Sequence, residues 1–355
     1  MSALLDRIAK QVRDKVEDFQ ERSPRLRAIA LCEYLRENNV VGVSSETRYH
    51  DLRNNFVGIA LQDENHPSLP LISVAIFCCV ATRLGIDAQP CGFPFHVLAI
   101  IKPPPGHTLD DGSVQVVDGG PPMYMDPFRS SKETNVQHLR SQLQSMGVPS
   151  SDHSYFLDAS TTEDIVRRSA KNIIGSVQAL PRQGGAAPMS TVPSFPEMDG
   201  ALYAALWSLI LLPEGGHDTA ALQRTRYLGF LVERMANQYS MDVGLIEEHV
   251  LPLITDPGHR QNLIETIRVI RTGDHTPKEF KPRSPDIGTS VQYKVGQVFH
   301  HKRYHYQAII TGWDLKCEAK PTWMAYMGIH TLPRGEYQSF YHVLYVTAWA
   351  FHVSD

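Results

Sequence analysis

Along the first twenty positions the apolar residues Leu4, Ile8, Val12, Val16 and Phe19 return every three or four residues, with charged residues between them. That spacing predicts an amphipathic helix, and Arg25 to Arg36 predicts a second. SLPLISVAIFCCVATRLG predicts a third helix over Pro70 to Leu84. Its proline suits a helix start, and Gly85 suits the position just past the end. The runs HVLAII, VQVVDGG and PMYMDPF then read as short strands separated by proline- and glycine-rich turns. Helices followed by strands, to about Leu180, predict an α+β unit.

PRQGGAAPMSTVPSFPEMDG, residues 181–200, is a linker by composition. Beyond it ALYAALWSLILL, TAALQRTRYLGFLVERMANQY and HRQNLIETIRVIRT carry helical periodicity and predict a helical region over 201–272. A second punctuated linker, 273–290, leads into 291–355. There YKVGQVFHHKRYHYQAIITGWD and FYHVLYVTAWAF alternate and are rich in Val, Ile, Tyr and Trp, which predicts a small all-β barrel domain. The fold class expected is therefore α+β and multidomain.

The chain's 355 residues, 42% of them apolar, suffice for two or three packed cores. A formal charge of -4 gives no global attraction to phosphate backbones or acidic membranes, so contact with nucleic acid requires a local patch. The amino terminus is charged throughout, unlike a signal peptide, and the longest apolar runs fall short of a membrane span. An intracellular protein, cytoplasmic or nuclear, is expected. Five cysteines without metal-type spacing fit reduced thiols. No metal and no cofactor is expected.

Two resemblances rest on particular residues. KVGQVFHHKRYHYQAIITGWD and FYHVLY, with Lys294, Gly296, His301, Tyr306, Trp313, Tyr341 and His342, resemble the YccV-like family, also called the hemimethylated DNA-binding domain. RYHDLRNNFV, SLPLISVAIFCCVATRLGIDAQPCGFPFHVLAI and MYMDPF resemble the SirB transglutaminase-like family. The order of the two modules, with helices between, resembles eukaryotic F-box proteins that join them. No F-box is visible before Arg25, so it is expected upstream or missing from this version. YVTAWAFHVSD stands where the family's closing pattern is expected, so a last barrel short of a closing strand is one expectation.

In transglutaminase-like sites a cysteine near a helix amino terminus works with a histidine and an aspartate from following strands. The resemblance puts Ser73 in the cysteine's place, with His96 and Asp126 as partners. Cys78 and Cys79 lie at least a turn further into the helix, beyond its unpaired amide groups. A serine can act only through a well-placed base, so the alternatives are a degenerate site, a Ser-His-Asp amide hydrolase or transferase, and a nucleophile displaced to Cys79 or Cys91.

The remaining candidates are surfaces. Arg53 and Asn54, with Ser73, His96 and Asp126, could line a peptide pocket, or the polar loop around them could satisfy its own backbone. Lys294, His301, Arg303, Tyr306, Trp313, Tyr341 and His342 could meet a protein partner or DNA. Alternation puts His301, Arg303 and His305 on one strand face, which lacks the further ligand a metal needs. The function expected from the resemblance is a non-catalytic adaptor or substrate-recognition protein related to F-box subunits of ubiquitin ligases. Its partners would be the ligase scaffold, substrates and possible DNA, with no membrane. DNA recognition by the last domain and amide chemistry at Ser73 are the rivals.

Overall fold

Helix α4, Pro70–Arg83, forms where proline pre-sets the first turn, and Gly85 ends it with φ +73°. Buried positions occupy nearly its whole circumference, with Phe77, Val74, Ile76 and Val80 fully enclosed. It is a central helix, apolar because it is surrounded. In the computed structural model, which describes residues 1–42, 48–63, 65–114, 119–179, 196–275, 290–302, 306–319 and 321–345, the chain divides into two units, Met1–His275 and Thr276–Asp355.

In the first unit α1 (Ser2–Lys15) buries Leu5, Ile8, Ala9 and Val12. The stripe stops short of its predicted end, because Val16 is already extended and Phe19 falls in a separate 3-10 turn. α2 (Pro24–Glu37) starts at Ser23, whose side chain accepts from the Leu26 N–H. After α3 (Val57–Gln62) and α4 come β1 (Ala88–Cys91), β2 (Leu98–Ile101), β3 (Met123–Met125) and β4 (Glu133–Thr134), an antiparallel sheet in chain order. Ala99, Ile101, Met123 and Met125 join the core built with α1, α2 and α4. Leu98, Ile100 and Tyr124 join another with Leu139, Leu143 and Leu157. Both faces are covered, so LAII reads as a continuous apolar run rather than an alternating one.

The second face is covered by α5 (Val136–Ser145) and α6 (His153–Leu157), followed by α7 (Thr162–Ala179). α8 (Met198–Leu211) opens within the segment expected to be linker, capped by the Glu197 carboxylate. Its Leu206 and Ile210 pack with Leu231 and Met235 of α9 (His217–Gln238), while Ala201, Ala205 and Leu209 pack with Ala170 and Ile173 of α7 and with Leu52. Lying between two cores explains why this helix is apolar all round. Val243–Leu245 and a π-type turn, Ile246–Val250, lead to α10, Pro257–His275. No described helix is long and apolar enough to cross a membrane.

The second unit holds β5 (Val298–His300), β6 (Gln307–Asp314) and β7 (Phe340–Tyr345), antiparallel in chain order, with a bulge between Ile310 and Gly312. α11, Pro321–Tyr326, lies between β6 and β7, so the unit is not wholly β. The described strands form an open sheet rather than a closed barrel. Most of VQVVDGG, most of both expected linkers, Arg303, His305 and residues 346–355 fall outside the described residues.

Phe77→Ala is expected to cost about 3–5 kcal/mol, because the collapse needed to refill its space is blocked on every side. Urea unfolding of the variant checks this, and a shift equivalent to under about 1 kcal/mol would contradict the central role of α4.

Candidate functional site

Strand register brings the histidine and the aspartate together. Ala99 of β2 pairs with Met125 of β3, so the residues just before β2 and just after β3 meet at one end of the sheet. His96 Nε2 lies 2.7 Å from Asp126 Oδ2, and both side chains are largely buried. The other carboxylate oxygen accepts from the Arg129 N–H at 3.1 Å, and the Asp126 carbonyl accepts from Arg129 and Ser130. The aspartate therefore sits inside a tight turn that fixes its orientation. Phe128 packs edge-on against both His96 and Tyr49, and its carbonyl accepts from Arg36. Burial pushes the Tyr49 hydroxyl up, opposed by the Arg129 charge nearby.

Ser73 is 0% exposed, and its hydroxyl is engaged elsewhere. Its Oγ lies 2.8 Å from Ser68 Oγ, accepts from the Gly42 N–H at 3.2 Å and reaches the Ser68 carbonyl at 3.4 Å. No hydrogen bond joins it to His96 among the described residues. The Ser73 N–H makes the first intrahelical bond of α4, to Leu69 at 2.8 Å, so this residue sits at the point where the unpaired amides end. What links serine to histidine is indirect. Gly42, which donates to Ser73, lies beside the Phe128 carbonyl, and the Phe128 ring lies against His96.

The thiols are mostly withdrawn. Burial holds Cys78 well above the usual thiol range and pushes Cys32 up to about 12 and Cys91 up to about 11. Cys79 is exposed. Neither Cys79 nor Cys91 makes a hydrogen bond to His96 among the described residues. Arg53 pairs with Asp63, and Asn54 donates to the Arg48 carbonyl at 2.6 Å and the Tyr49 carbonyl at 3.3 Å. Asn54 is buried and closes its own loop. The polar run thus braces the segment that carries Tyr49 toward Phe128.

In the second unit His342 Nε2 lies 2.8 Å from Asp314 Oδ2, a second histidine-aspartate pair that sequence reasoning missed. The glycine beside the bulge makes room for it: a Cβ at Gly312 would meet the His342 ring at 3.2 Å. Trp313 pairs across the sheet with Tyr341, whose hydroxyl accepts from the Gln292 and Tyr293 N–H groups. His301 stacks on Tyr306 at 4.9 Å, and Lys294 is exposed. Among the described residues no three His, Cys, Asp or Glu are grouped to hold a metal.

Residues 1–171 match the transglutaminase-like superfamily, and residues 291–354 match the family described as hemimethylated DNA-binding protein YccV like. The chain therefore carries a transglutaminase-like domain and a YccV-like domain in tandem. It is similar to F-box only protein 21 of Pongo abelii, 25% identical over 290 residues, covering 78% of this chain and 40% of that protein. F-box only protein 21 of Mus musculus is 25% identical and that of Homo sapiens 24%, each over 292 residues, 78% of this chain and 41% of the relative. The chain thus spans about two fifths of the length of these relatives. No solved structure matches.

Iodoacetamide at about pH 8 is expected to label Cys79 in the native protein and to leave Cys32, Cys78 and Cys91 unlabelled until denaturant is added. Peptide mapping reads the sites, and native labelling of Cys78 would contradict the packing. The raised thiols also set an alkaline limit: the folded state holds their protons longer than the unfolded chain. Their contribution is full below 9.0 and falls as pH rises toward about 12. Denaturation midpoints across that range check the sign. Ser73→Ala is expected to cost about 1 kcal/mol, since Gly42 keeps Ser68 as an acceptor.

Proposed function

We propose that this chain is a non-catalytic recognition protein of the F-box-related type, intracellular in the cytoplasm or nucleus, in which the transglutaminase-like domain binds peptide segments of other proteins. One observation carries the reading. The hydroxyl in the nucleophile's place is sealed and held by Gly42 and Ser68, while His96 is turned to Asp126. A general base must reach the proton it removes, within about 3 Å or through one water. Arg53, Asn54, Ser73 and Asp126 then serve as the frame of the site, and His96 as the residue nearest a ligand.

The similarity to F-box only protein 21 supports ubiquitin-ligase scaffold proteins and their substrates as the partners. Exposed Lys294 and His342, with the His301–Tyr306 stack, Trp313 and Tyr341, give the second unit a surface for one of them. DNA binding by this unit is a second reading, favoured by the description of its family.

Affinity capture of the full chain from its native cell, followed by mass spectrometry, is expected to retain ligase scaffold proteins, and loss of every partner would overturn the reading. Turnover of a fluorogenic amide that disappears in Ser73→Ala would overturn the non-catalytic part. For the second reading, a hemimethylated duplex is titrated with the full chain at rising salt. Affinity that falls steeply supports it, and a flat null result rejects it.

A further inference from the structure

Immediately before His96 the chain makes a turn that costs energy and exposes an aromatic ring. Phe95 has φ +60°, a conformation that suits glycine, and the His96 N–H donates to the Pro94 carbonyl at 2.7 Å across it. This is the three-residue turn with a positive central φ, a rare and strained form. Phe95 is also 91% exposed, so its ring gains nothing from the core. Both features penalise the folded chain.

The turn cannot relax because both ends are fixed. Phe93 is buried in the core beneath the sheet, and its carbonyl accepts from Arg168 at 2.9 Å. The Gly92 N–H donates to the Asp158 carbonyl, and His96 is bound to Asp126. Strain that persists only because its surroundings over-determine it is a recurrent property of binding sites. A ring already ordered before its partner arrives also loses less freedom on binding.

Around that ring stand unused hydrogen-bonding groups. The Phe95 N–H and carbonyl make no hydrogen bond to any described residue, and the described bond of the His96 ring uses Nε2 alone. An aromatic face whose own main-chain donor and acceptor have no partner among the described residues complements an extended peptide. The peptide's side chain can cover the ring while its backbone pairs with the turn. Stacking on a nucleic acid base would also require several cations for the phosphates; Arg168 is turned inward to Phe93, and the exposed Arg129 in the Asp126 turn is a single charge.

We propose that the strained turn at Phe95 is the anchor of a peptide-binding site beside the His96–Asp126 pair, and that its ligand is an extended segment carrying a large apolar side chain. This rests on the recognition reading above and names its ligand class.

The probe is a display library of random peptides panned on the full chain. Enriched peptides are expected to share a large apolar residue at one position, and a dye-labelled consensus peptide to bind by anisotropy. Phe95→Ala is expected to weaken that binding about tenfold or more. Phe95→Gly should weaken it equally while melting at the same temperature or higher, since glycine removes the strain. Tyr155→Ala, at another exposed ring, should leave it unchanged. The proposal is overturned if no apolar position is enriched, if Phe95→Gly binds like the parent, or if that variant melts well below it. Self-association lost in Phe95→Ala without peptide enrichment would assign the ring to a second copy and also overturn it. Peptide binding that survives while scaffold capture fails separates this inference from the ligase reading.

Discussion

Burial of α4 on every side but the strip carrying Cys79 and Thr82 is the constraint from which the rest of the first unit follows. A helix with Val74, Ile76, Phe77 and Val80 fully enclosed needs neighbours around its circumference, and α1, α2, α3 and the sheet supply them. Each large side chain removed from water contributes about 1.5–3 kcal/mol, so one end of this helix cannot move without disturbing many contacts. Ser73 lies at that end, enclosed with the apolar residues around it. Its hydroxyl has to be satisfied locally, and Gly42 and Ser68 satisfy it.

The same packing separates what a transglutaminase-like site would join. His96 and Asp126 come from the ends of neighbouring strands and are aligned by the β2–β3 register. Ser73 comes from the helix beneath, and the Gly42 and Phe128 backbones lie along the contact route between them. The Ser73 hydroxyl bonds to Gly42 and Ser68, and among the described residues the His96 ring hydrogen-bonds to Asp126. The exposed, strained Phe95 next to that histidine moves attention from the floor of the site to its rim.

The second unit uses a different device for a similar pairing. Gly312 beside the bulge makes room for the His342 ring, which reaches Asp314, buried while the histidine remains exposed. Bulges commonly re-aim side chains at functional surfaces. Here one lies beside an ordered polar group on an outer sheet face that also carries Val298 and Leu344, both well exposed and in register with Ile309 between them.

Much of the fold was legible in the chain. Periodicity located α1, α2 and α4, and it separated β2 and β3 from the helices, because helix and strand bury different spacings. The family resemblances rested on motifs that the comparisons bear out. β1 was missed because AQPC carries a proline and no alternation, and its strand character comes from pairing with β2. α7 was missed because its apolar residues are interspersed among charges, and packing against α8 makes it a core element. The residue types of the site were readable as well: a serine near a helix start, a histidine before one strand, an aspartate after another. The pairing of His96 with Asp126 followed from the resemblance, whereas the partners of Ser73 did not. Whether a hydroxyl faces a base or a backbone amide depends on groups far apart in sequence, such as Gly42 and Ser73, and on the angle at which a helix meets a sheet. Local preference determines elements and candidate chemistry, whereas the partners of each polar atom are decided only when long-range packing closes around it.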